Sequence, residues 1–125
     1  MNHDASSFYE SWPTHMNAMK AKAPEIGKAF GGMFQTLMKD GNLSVKQKEL
    51  IAVGIAVAIH CEPCIYTHVD KCLKHGATPA EIMEAAGVGV VMGGGPAYTY
   101  ATIVSAALDH FANAQAQTQA QAQAT

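Results

Sequence analysis

Apolar residues along this chain recur at spacings of three and four, and nowhere alternate with polar ones over a useful length. That periodicity predicts helices and no strands. A first helix is expected from about Ser6 to Lys22, bent or restarted at Pro13. Pro24 suits the first turn of a second, which carries Ile26, Phe30, Phe34 and Leu37 at helical spacing and stops at Gly41. Ser44 has the character of an N-cap, with Gln47 three residues on to complete a capping box. The third helix then runs to about His60. Its second half, Ile51 to Ile59, is apolar all round, which predicts burial on all sides. Pro63 is tolerated in the first turn of a fourth helix that continues to His75, with Gly76 as its C′ residue. Thr78, Pro79 and Glu81 open the next helix in the same capping-box pattern, and Gly93-Gly94-Gly95-Pro96 ends it. A last helix is expected from about Ala97 to Asn113.

The reading is therefore an all-α, single-domain bundle of about six helices. Residues 1–42 supply N-terminal helices and 43–113 the core, together one domain. Residues 114–125 are an Ala/Gln-rich flexible tail, frayed helix or disordered, with nothing bulky to bury.

Composition narrows the function. The chain has 125 residues, enough for one modest core. Eight Lys face ten acidic residues for a net charge of −2, and Arg is absent. Without Arg there is no bidentate fork for phosphates, and phosphate contacts dominate nucleic-acid affinity. Nucleic-acid binding and phosphoryl transfer are not expected. Hydrophobic residues reach 49% and charged residues only 14%, which points to subunit interfaces, although an Ala-rich core would raise the apolar share too. The longest apolar run, Leu50 to Ile59, is far short of the roughly 20 residues that span a membrane. Met1 to Pro13 has neither the basic start nor the apolar stretch of a secretory leader. The expected compartment is cytoplasmic, where disulfides are usually transient and catalytic.

That compartment gives the cysteines their interest. Cys61-Glu62-Pro63-Cys64 is a C-x-x-C pair at a helix start, and His68 follows one turn after Cys64. Two thiols so spaced can close a disulfide, and a helix N-terminus favours their thiolates. His68 is placed to exchange a proton with the Cys64 sulfur. Three other readings compete. Structural zinc needs four converging ligands, yet Cys61, Cys64, His68 and Cys72 lie along one rod of roughly 16 Å. An inert buried pair would leave Pro63 and His68 without purpose. A thioredoxin-like site needs a preceding strand, and the preceding segment reads as helix. Glu49, flanked by Lys46 and Lys48, reads by itself as part of a solvated face. Cys72 is too far along the helix to pair with Cys64 and reads as a core or interface thiol. Gly87-Val88-Gly89 and Gly93-Gly94-Gly95 follow no strand, so they suggest close helix packing and a helix stop rather than nucleotide binding. Tyr98 and Tyr100 read as packing or interface aromatics.

Glu49, Cys61-x-x-Cys64 and His68 together give E-x(11)-C-x-x-C-x(3)-H, followed by His75-Gly76-Ala77-Thr78-Pro79-Ala80-Glu81-Ile82 and Met92-Gly93-Gly94-Gly95-Pro96-Ala97. Over about Leu43 to Ala107 this pattern resembles the alkylhydroperoxidase D branch of the carboxymuconolactone decarboxylase superfamily. The resemblance implies an all-helical fold assembled as homotrimers or homohexamers, and a thiol peroxidase of the alkyl hydroperoxide reductase type. By match, Cys64 attacks the hydroperoxide, Cys61 resolves the sulfenic acid to a disulfide, and Glu49 with His68 forms the proton relay. The electrons would come from a dithiol such as a lipoyl group on a partner protein, with no other cofactor and no metal. Well-known members of the branch carry His where this chain has Pro63, while His60 stands just before Cys61; by helical angle His60 falls off the reactive stripe. Two alternatives remain: a carboxymuconolactone decarboxylase-like enzyme with incidental thiols, and a non-catalytic dithiol redox sensor.

Overall fold

The computed structural model describes residues 4–124. The first three residues of the stretch that lacks a leader pattern, and Thr125 of the tail, lie outside the described residues. The described chain is all-helical: α1 (Ala5–Lys22), α2 (Pro24–Met38), α3 (Val45–Ala58), α4 (Glu62–Lys74) and α5 (Pro79–Ala124). Six helices were expected and five elements form, because the last two are continuous except at Gly94. Gly94 adopts φ 73°, ψ −153°, a conformation open to glycine, so α5 is two arms meeting at a break. Its second arm continues through residues 114–124 as exposed helix. α1 runs through Pro13 without interruption.

The helix starts follow local chemistry. Ser44 Oγ accepts from the Gln47 N–H at 3.1 Å while Gln47 Oε1 accepts from the Ser44 N–H at 2.8 Å. Thr78 and Glu81 make the same reciprocal pair at 3.1 and 2.9 Å. Each pair satisfies amide groups that a helix start otherwise leaves bare.

The core lies among α3, α4 and α5. Val53, Ala56 and Val57 of α3 meet Ile65, Val69 and Cys72 of α4 and Ile82, Ala86 and Val104 of α5. α3 and α5 approach to backbone contact. A Cβ on Gly89 would stand 2.3 Å from the Gly54 carbonyl oxygen, so a side chain there would push the two helices apart. α1 is anchored by rings: Phe8 stacks on Tyr66 at 4.6 Å, and the Tyr9 hydroxyl donates to the Tyr66 carbonyl at 2.5 Å.

Two apolar faces are left uncovered by the described residues. Burial on all sides was expected of Ile51 to Ile59, but Ile51, Ile55 and Ile59 are exposed, Ile55 by 54%. Only α4 and α5 cover α3 extensively, which leaves its third side open. With Val88 and Met92 of α5, Ile51 and Ile55 border a groove of about 310 Å³. On α2, Ile26, Phe30, Met33 and Leu37 form a second exposed stripe, and no residue of that helix is buried. No helix among the described residues is long and apolar enough to cross a membrane.

Candidate functional site

The site begins where α3 turns into α4. α3 ends with the Ile59 N–H on the Ile55 carbonyl, and the Cys61 N–H then reaches back to the Ala56 carbonyl at 3.0 Å. Between them His60 takes φ 62°, a left-handed conformation that costs a non-glycine residue roughly 1 kcal/mol. Its ring stacks on Tyr100 of α5 at 5.0 Å. His60 thus sits in a turn rather than on a helix, so a helical angle does not describe its position.

Cys61 is the N-cap of α4, and its Sγ accepts from the Cys64 N–H at 3.3 Å. Pro63 occupies the first turn, where a missing N–H breaks no helical hydrogen bond. The two sulfurs are joined in a disulfide, with Cα atoms 5.2 Å apart. When that bond opens, charge appearing on Cys61 falls at the positive end of a helix and beside a backbone donor. Glu62, between the cysteines, is buried, with its carboxylate close enough to the Tyr66 hydroxyl for its charge to act there. Burial first, and then the Glu62 charge, push the Tyr66 hydroxyl above its ordinary range.

His68 lies one turn beyond Cys64 on the same helix, a spacing that makes the two side chains neighbours. Its Nδ1 and Glu49 Oε1 are 2.5 Å apart. Glu49 is 1% exposed, in contrast to the solvated face expected from its Lys neighbours. Lys46 instead pairs with Glu81 at 2.9 Å, and Lys48 Nζ donates to the Leu37 and Lys39 carbonyls at 2.8 and 2.7 Å. Both lysines are thus occupied elsewhere, and Glu49 turns inward toward α4. Where the carboxylate accepts this hydrogen bond, the proton lies on Nδ1 and a neutral ring keeps its lone pair on Nε2. A base oriented by a carboxylate beside a sulfur is an arrangement suited to proton transfer at that sulfur.

Cys72 is apart from this chemistry. It is free and fully buried. Burial, and then the Glu49 charge, push its thiol up to about 12. Among the described residues no group of His, Cys, Asp and Glu is placed to hold a metal ion.

One neighbour of the site is not evident from the motif. Phe34 of α2 lies against the His68 ring, with centroids 6.2 Å apart and planes 24° from parallel. Lys71 Nζ stands 3.8 Å from the centre of the Phe34 ring. In the sequence Phe34 belongs to the periodic apolar set of α2, and nothing there pairs it with α4.

The sequence and the fold have counterparts among known proteins. The model of the carboxymuconolactone decarboxylase family matches residues 24–107. A carboxymuconolactone decarboxylase family protein from Legionella pneumophila, solved in its apo form, is 35% identical with a TM-score of 0.81, covering 88% of this chain and 98% of its own. A Thermotoga maritima member, for which involvement in an antioxidative response has been suggested, is 27% identical with a TM-score of 0.67, covering 72% and 93%. An uncharacterised protein of Cupriavidus necator is 36% identical over 92 residues, 74% of this chain and 81% of its own.

Proposed function

The chain belongs to the carboxymuconolactone decarboxylase family, and from that premise we propose that it is a thiol-dependent peroxidase of the alkylhydroperoxidase D type. The observation that carries this reading is the pairing of a C-x-x-C disulfide at the start of α4 with a carboxylate-bound histidine one turn further on. The antioxidative role suggested for the Thermotoga maritima relative is in keeping with it.

The cycle starts from the dithiol. His68 Nε2 accepts the Cys64 thiol proton, and Glu49 stabilises the imidazolium that forms. The Cys64 thiolate attacks the distal peroxide oxygen. The O–O bond breaks, Cys64 becomes a sulfenic acid, and the alkoxide leaves as an alcohol with the proton held by His68. The Cys61 sulfur then attacks Cys64 Sγ and expels water, which closes the Cys61–Cys64 disulfide. A dithiol donor opens it by exchange and is itself oxidised to a disulfide. A lipoyl group on a partner protein suits that step, because its two thiols close a ring within one group. No other cofactor is required.

The reading includes assembly as a homotrimer or homohexamer in the cytoplasm. The two exposed apolar faces, on α2 and on α3 with α5, support assembly.

The direct test is hydroperoxide loss with dihydrolipoamide as donor. Turnover is expected for the native protein and none for Cys64→Ser. A disulfide that forms and reopens without any turnover would count against the peroxidase and point to a different electron acceptor or to a redox sensor.

A further inference from the structure

We infer that Phe34 is a positioning residue for the proton relay: α2 lays its ring against His68 and so fixes where Nε2 points. The inference rests on the reading of His68 as the base for Cys64.

A histidine held at one nitrogen is not fully constrained. Glu49 holds Nδ1 from α3, but only this one hydrogen bond opposes rotation about the bond to Cβ, and a rotation that breaks it carries Nε2 away from the sulfur. A second contact from another direction removes that freedom, and Phe34 makes it. Phe34 is itself held. The Lys71 ammonium, three residues beyond His68 on α4, sits over its ring.

The helix that carries Phe34 has few attachments of its own, since no residue of α2 is buried. Its end is tied down by Lys48, whose ammonium bonds the Leu37 and Lys39 carbonyls. Lys48 and Glu49 are adjacent, so one stretch of α3 sets both the hydrogen bond to His68 and the helix that covers it. Phe34 also borders, with Glu49 and Lys71, an open groove of about 450 Å³. Removing its ring would admit water from that groove to the imidazole.

The experiment uses the full reduced chain with ¹⁵N-labelled histidine. Long-range ¹H–¹⁵N spectra report the tautomer of His68, and iodoacetamide reports the rate at which native Cys64 is alkylated. The native protein is expected to show a single Nδ1–H form. Phe34→Ala is expected to show averaged tautomers and alkylation about tenfold slower, the scale of a lost positioning contact. Phe34→Tyr is expected to restore both. Lys48→Met, which touches neither ring, is expected to loosen His68 in the same way by releasing the end of α2. Unchanged His68 signals and unchanged Cys64 alkylation in Phe34→Ala would overturn the assignment. So would failure of Phe34→Tyr to restore them. Both readouts are independent of peroxide turnover, so an inactive native protein would count against the peroxidase reading and leave this one to be decided by its own spectra.

Discussion

Cys64 and Cys72 stand two turns apart on α4 and meet opposite surroundings. Cys64 is half-buried in the first turn, bonded to the N-cap sulfur and followed by a histidine. Cys72 is fully buried in apolar packing on the side of Glu49, with its thiol pushed up to about 12. A helix N-terminus favours a thiolate; an apolar core beside a carboxylate disfavours it. One residue type on one helix thus acquires two chemistries from position alone. Glu49 serves both ends: its carboxylate orients His68 and its charge helps keep Cys72 protonated.

The contrast can be tested most severely at the first turn. Cys64→Ser is expected to reduce hydroperoxide consumption to the uncatalysed rate, with Cys72 unable to substitute. Consumption that survived in this variant and vanished in Cys72→Ala would reverse the roles. Next come the residues proposed as the proton relay. Glu49→Gln and His68→Ala are each expected to lower turnover by about 10²- to 10⁴-fold, the usual range for a lost acid–base group. The disulfide should still form in both when a chemical oxidant is supplied, as mass mapping would check.

Thiol labelling sharpens the comparison without turnover. At pH 8 a thiol of pKa about 12 is ionised in about one molecule in ten thousand. Reduced native protein is therefore expected to take iodoacetamide on Cys61 and Cys64 and to spare Cys72 until urea exposes it. Labelling of Cys72 at rates like those of Cys64 would show that the two environments do not differ in the way described.

The smallest effect is on stability. Cys72→Ala is expected to leave turnover within about twofold and to cost about 1 kcal/mol in urea unfolding, the scale of a small buried truncation. The sign of its pH dependence also follows. The Cys72 thiol ionises near its ordinary 9.0 in the unfolded chain but only near 12 in the folded one. The unfolded state therefore binds fewer protons between those values, and stability falls as pH rises through that window. Cys72→Ala should remove that part of the slope.

The fold was readable where the determining contacts are local. Ser44 with Gln47 and Thr78 with Glu81 form the capping pairs that their spacing announces, and the Gly-rich stretch marks the break at Gly94. The site was only half readable. Cys61, Cys64 and His68 share one helix and its first turns, so their spacing nearly sets their proximity. Glu49 read as solvated by its immediate neighbours, and its pairing with His68 was signalled only by the family pattern. Phe34 carried no signal at all, because an aromatic at helical spacing looks the same whether it covers a histidine or a core. The exposed isoleucines of α3 illustrate the same limit from the other side, since an all-apolar helix announces burial but not by what.

The sequence by itself determined the helices, their caps and the dithiol at the start of α4. These depend on groups three or four residues apart, which covalent geometry brings together once a helix forms. The tertiary structure alone decided that Glu49 turns inward to a histidine nineteen residues away, that Phe34 lies over that ring, that Cys72 is sealed, and which apolar faces stay open. Burial and long-range pairing depend on which surface another element covers, and that is settled only when the helices pack.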